Sequence, residues 1–193
     1  MHAPIAPATF TEAVRGLTAA LLRPEVEVEE MRPPLRLAPW SYAVGLRVVV
    51  GDTELASGRL VLLHDPDGQE GWGGTLRLVG YLSAELDPEM IHDPLLPEVG
   101  WSWLTDALAG CGARYAVPAG TVTQTASTRF GELAGPAGPS GLLSTCEIEV
   151  RASWTPLDAD DLGPHLRAWA ELMSTAAGLP PPGVTVLPSP TPG

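Results

Sequence analysis

The chain has no lysine; all eleven of its basic residues are arginine. That absence removes the chemistries that need a lysine amine, a Schiff base or a Walker-type phosphate loop. Cysteine is nearly as scarce, with two in 193 residues. No Cys-x-x-Cys spacing occurs, so neither a disulfide framework nor a zinc knuckle is indicated. Cys111 falls at the end of a helical pattern and Cys146 on an apolar strand face, and both read as small buried thiols. Positive charge is short overall: 23 acidic residues against 11 basic leave a formal net charge of −12, with no basic patch or arm. Such a chain repels nucleic-acid phosphate and anionic membrane surfaces. No apolar run approaches the ~20 residues that span a bilayer. The N-terminal MHAPIAPATF lacks the charged and apolar regions of a signal peptide. A cytoplasmic protein is expected, with neither nucleic acid nor membrane among its partners.

What is present is organised around residues 93–111, DPLLPEVGWSWLTDALAGC, an apolar helix pattern with strand-like runs on either side. Leu104, Ala107, Leu108 and Cys111 form its core stripe. Trp101 and Trp103 are two positions apart, so on a helix they point about 200° from each other. A helix apolar on two sides is covered on two sides, by its own chain or by a partner. Trp101 and Trp103 are therefore the candidate partner-binding residues.

Residues 1–8 are expected to be disordered. Thr9 and Glu12 have the spacing of a capping box, and Phe10, Val14, Leu17 and Leu21 follow as a buried stripe, ended by Arg23-Pro24. EVEVEEM, residues 25–31, reads either as an exposed edge strand guarded by its charges or as an acidic linker. Residues 32–39 are proline-broken and form a loop. Residues 40–50 and 54–63 are strands joined at Gly51-Asp52, a hairpin signal; 64–74 is turn chemistry, and 75–86 is a third strand. Residues 120–130 form a threonine-rich strand and 131–141 a flexible loop. In 146–154, Cys146, Ile148, Val150, Ala152 and Trp154 point one way and Glu147, Glu149, Arg151 and Ser153 the other. A last helix is expected to start near Asp160-Asp161, with Leu162, Leu166, Trp169, Met173 and Ala176 on one stripe and Gly178 as its stop. A proline-rich tail, 180–193, follows. The order α-β-β-β-α-β-β-α predicts an α+β fold, residues 9–179: an antiparallel sheet of five to six strands with helices packed on one face.

Candidate chemistry centres on two His-Asp-Pro tripeptides, His64-Asp65 and His92-Asp93, with Glu70 nearby. Two imidazoles and two carboxylates brought together would make an acid–base pair or a metal site. The same tripeptide is also plain turn chemistry, because aspartate bonds its own backbone and proline fixes φ. Asp65-Pro66-Asp67-Gly68-Gln69 opens like a calcium loop, but Glu70 and Leu76 stand where glycine and glutamate are required. Glu147 and Glu149 share a strand face beside Arg151, a solvated pattern rather than a catalytic pair. No cofactor and no metal is expected.

Five strings resemble one family: RPEVEVEE (23–30), LVLLHDPDGQEGW (60–72), DPLLPEVGWSWLTDAL (93–108), RASWTPL (151–157) and GLPPPGV (178–184). They are similar to an uncharacterised actinobacterial family, domain of unknown function 3000, and the lysine-free composition fits a high-GC source. The resemblance implies no activity. The element order also resembles that of small acidic secretion chaperones, which dimerise and bind extended peptides; this is analogy at the level of fold. The leading expectation is a non-enzymatic, acidic cytosolic binding or adaptor protein whose partner is another protein or a second copy. The alternative is a small enzyme or metal-binding protein using the two His-Asp-Pro turns.

Overall fold

Side chains alternate across a strand, so an apolar/polar alternation repeated on neighbouring strands builds a sheet with one face for the core. The computed structural model, which describes residues 6–34, 36–87, 89–90, 93–130 and 142–182, follows that rule. Its elements in order are α1 (Ala8–Thr18), β1 (Val26–Met31), β2 (Trp40–Val50), β3 (Thr53–His64), β4 (Leu76–Leu86), α2 (Leu96–Gly110), β5 (Tyr115–Phe130), β6 (Leu142–Pro156) and α3 (Gly163–Ala176). The six strands form one antiparallel sheet in the order β1-β2-β3-β4-β6-β5. The α+β class is as expected, with four strands before α2. EVEVEEM is indeed an edge strand, paired only to β2. The expected disorder at residues 1–5, the 131–141 loop and the tail from 183 onward lie outside the described residues.

Cross-strand pairing places Val44, Leu60, Leu78, Leu82, Ile148, Val150 and Trp154 on one face, all buried in the main core. Helix α3 lies against β2, β3 and β4, α2 against β5 and α3, and α1 against α3. The centre of that layer is Trp169, fully buried, with its ring 5.8 Å from Trp154. Gly80 makes room for it: a Cβ there would come within 2.6 Å of the indole Cζ2 and Cζ3. The stripe Leu162, Leu166, Trp169, Met173 and Ala176 is buried as read, and Gly178 ends the segment at φ +74°.

Two helix starts and one stripe differ from expectation. Thr9 makes no capping bond; α1 opens at Ala8, and Thr11 Oγ1 donates back to Pro7 O at 3.2 Å. The helix stops at Thr18, so Leu21 has left the periodic stripe and is 87 % exposed. Helix α3 begins at Gly163, where Asp161 Oδ1 accepts the Gly163 N–H at 3.2 Å; the aspartates precede the helix instead of opening it.

One core polar group titrates. His165 is buried, and its Nδ1 accepts the indole N–H of Trp154 at 3.0 Å, a donor with no alternative role, so Nδ1 must be unprotonated. Burial, partly opposed by Asp158 and Asp161, lowers its pKa to about 4. A proton on His165 both charges the core and breaks this bond.

Two predictions follow from this core. Gly80→Ala overpacks it and should cost about 1–3 kcal/mol, and Trp169→Ala should cost roughly 3–5 kcal/mol. In Gly80→Ala/Trp169→Leu the smaller side chain leaves space for the new methyl, so urea denaturation should give a double variant less destabilised than the sum of its singles. Exact additivity would separate the two residues. Second, an unfolded histidine near 6.5 binds protons that the folded one refuses, so its contribution to stability is present above that value and is lost as pH falls toward 4. From pH 7.5 to 5 the loss should be roughly 2 kcal/mol. His165→Gln keeps an acceptor for Trp154 but cannot titrate, and should lack this component of the pH dependence. Parallel wild-type and variant slopes would remove His165 as the cause.

Candidate functional site

None of the described helices lies on the other face of the sheet. Antiparallel register arranges its side chains in rows that cross the strands. One row runs Met31, Ala43, Val61, Val79, Ser153, Ala119; the next runs Glu29, Gly45, Arg59, Tyr81, Arg151, Thr121. A third runs Glu27, Arg47, Ser57, Ser83, Glu149, Thr123. One end of this face has a small core of its own. Ala43, Val61 and Leu63 are buried there beneath Ala38 and Trp72. Trp72 comes from the glycine-rich connection after β3, and its carbonyl accepts the Thr155 hydroxyl, which holds the connection down.

Arg77 lies beneath the same end, only 6 % exposed. Its guanidinium donates to Val117 O, Thr155 Oγ1, Ser153 O and Ser153 Oγ at 2.8–3.3 Å, all neutral oxygens. Burial lowers its pKa. Val117 reaches it from a bulge in β5, at φ +50°, a conformation that costs a β-branched residue energy.

Between this covered end and the middle of the sheet lies a furrow. A recess of about 300 Å³ has Ala43, Val61 and Val79 as floor, Met31, Pro34 and Leu37 as one lip, and Arg32, Arg59, Tyr81 and Arg151 as its polar wall. It adjoins a second recess, about 380 Å³, that continues over Ser153, Ala119 and Thr121 to β5; the two share Val79, Gly80 and Arg151. Met31 and Leu37 are 37 % and 49 % exposed, so the lip presents apolar surface to water.

The polar wall is built round Tyr81. The guanidinium carbons of Arg59 and Arg151 lie 5.6 and 5.3 Å from its ring centroid, in cation–π range. Its hydroxyl donates to Glu149 Oε1 at 2.9 Å, and Arg151 Nη2 donates to Glu149 Oε2 at 3.1 Å. Burial, and then the Glu149 carboxylate, raise the Tyr81 pKa; the Tyr81 hydroxyl, and then Arg151, hold the Glu149 carboxyl below its usual range. Arg151 is thus matched by an acid. Arg59 and Arg32 form no ion pair among the described residues.

At the far end of the face the sign reverses. Glu85 and Glu147 stand directly opposite each other, and with Glu54 and Arg129 they line a recess of about 260 Å³. Ser83 Oγ donates to Glu147 there.

The residues singled out in the sequence lie elsewhere. His64 is buried under α1: its ring stacks on Phe10, centroids 6.1 Å apart, and Nδ1 meets Thr75 O at 3.0 Å. Asp65 holds its own turn, accepting from Asp67 N at 3.2 Å and Gln69 Nε2 at 3.1 Å. Asp93 accepts from Leu95 N at 2.9 Å, the same device ahead of α2. Glu70 is exposed in the loop, and His92 lies outside the described residues. Among the described residues no group of three His, Cys, Asp or Glu has metal-binding spacing. Trp101 and Trp103 are both half-buried against the main core, and Trp101 covers Gly120 of β5, where a Cβ would meet its Cζ3 at 2.7 Å. Cys146 is buried; Cys111 is half-buried, with its thiol pKa raised chiefly by burial.

Arg32, Arg59, Val61, Val79 and Tyr81 were missed as a group. The alternation that put Tyr81 and Arg151 on a polar face was readable, whereas their meeting with Arg59 needs the register of three strands.

Tyr81→Phe tests the wiring of the wall. Removing the hydroxyl takes away the largest influence on Glu149, so the carboxyl should titrate higher, toward the ordinary glutamate range. A carbon-detected NMR titration of Glu149 reads this directly; an unmoved midpoint would mean that Arg151 alone sets it.

No curated protein and no solved structure matches the chain. The family profile described as "Protein of unknown function (DUF3000)" matches residues 6–185. With nearly the whole length matched, the chain belongs to that family.

Proposed function

We propose that this is a non-enzymatic cytosolic binding or adaptor protein that receives a protein partner on the open face of its sheet. The observation that carries the reading is the furrow: an apolar floor with an exposed lip of Met31 and Leu37, beside Arg32 and Arg59, two cations without ion pairs among the described residues, in a chain of net charge −12. A solvated sheet face in an acidic protein would ordinarily match its scarce cations with its abundant acids. Leaving two unmatched next to apolar surface favours a surface completed by a partner. The binding reading also draws support from His64, Asp65 and Asp93, whose side chains are engaged in packing and turns.

Affinity capture with mass spectrometry compares three baits: wild type, the furrow variant Arg59→Glu, and Leu21→Ser, exposed between α1 and β1 and outside the furrow lining. A partner retained by wild type and Leu21→Ser, and lost from Arg59→Glu, is the expected outcome. Identical capture by all three would move the docking surface away from the furrow.

A further inference from the structure

The shape and charge of the furrow identify what it takes. The two recesses run across the strands, from the β1–β2 connection over β2, β3, β4 and β6 to β5. At the usual strand spacing that path is about 19 Å. An extended peptide advances about 3.3 Å per residue, so the path matches about six residues. A compact small molecule would fill one recess and leave the other to water.

Chemistry selects the sequence of that peptide. Its alternate side chains face the floor, where the partly exposed Val79, beside the buried Val61, offers aliphatic contact and Met31 and Leu37 cover from the lip. The intervening side chains meet the wall. There Arg151 is already paired with Glu149, while Arg59 and Arg32 have no ion pair among the described residues. A lysine or arginine of the peptide would be set against guanidinium groups; a glutamate or aspartate would gain a charge-assisted hydrogen bond.

We infer that the furrow binds an extended segment of about six residues in which aliphatic and acidic side chains alternate, lying across the strands with its acids on Arg59 and Arg32. The inference rests on the open-face reading above and adds the class of partner. The segment crosses the strands, so recognition comes from side chains rather than from strand addition at an edge.

The test uses the full-length protein and three fluorescent, end-blocked hexapeptides: alternating Leu/Glu, Leu/Lys and Ser/Glu. The Leu/Glu peptide should bind and shift the amide resonances of Val61, Val79 and Tyr81 by NMR. The Leu/Lys and Ser/Glu peptides should bind at least about tenfold more weakly, as should Leu/Glu to Arg59→Glu and to Arg32→Glu. Both sites tolerate substitution without touching the main core, and an unchanged NMR fingerprint elsewhere verifies folding. Equal or tighter binding of Leu/Lys at the furrow would overturn the acidic preference and leave the adaptor reading standing. Shifts confined to β1 or β5 would transfer binding to a sheet edge and overturn the crossing geometry. Furrow shifts that depend on protein concentration without peptide would give the surface to a second copy, and would equally overturn it.

Discussion

The indole of Trp169 occupies the space above Gly80, and most of the molecule is arranged round that contact. A residue with no side chain in the middle of β4 lets the central helix approach the centre of the sheet. Trp154, on the neighbouring strand, tilts against the same ring and is held through its own N–H by His165 at the start of α3. One strand end, one helix start and one glycine are therefore fastened together in the driest part of the protein. The arrangement has a polar cost, since Trp169 Nε1 is buried without a hydrogen-bond partner among the described residues. The area of two packed indoles, each of the size that dominates a core, outweighs it.

Concentrating all three helices on one side leaves the other face to loops and solvent. Tying down Trp72 and packing Ala38 beside it covers only one end of it. The furrow is the margin where that covering stops. Its floor is apolar because it continues the row buried under Trp72, and its wall is charged because the next row belongs to the solvated part of the sheet. The site thus follows from ordinary sheet register rather than from a special motif.

Where local pattern alone decided the structure, it was legible. Every residue that the alternation of β6 and the stripe of α3 put inside is buried, although His165, Ala168, Ala170 and Leu172 of α3 are buried beyond that stripe, and the glutamates of residues 25–31 marked an edge. Local pattern failed where the chain left its periodicity: Leu21 continues the spacing of α1 after the helix has ended at Thr18. It failed again where contacts are remote. Arg59, Tyr81 and Arg151 meet through pairings between strands separated by up to 70 positions of sequence, and nothing in any one strand announces the others. The His-Asp-Pro repeat attracted attention for its composition; the turns at Asp65 and Asp93 explain that composition by backbone hydrogen bonding.

The reversal of sign along the open face has a kinetic consequence. Arg32 and Arg59 line one recess of this face, and Glu54, Glu85 and Glu147 outnumber Arg129 in another, so the two recesses present opposite local charge. A charged molecule drifting past experiences a torque before it makes contact. It is turned so that its negative end leads toward Arg32 and Arg59, which shortens the search for the productive orientation within a screening length of the surface.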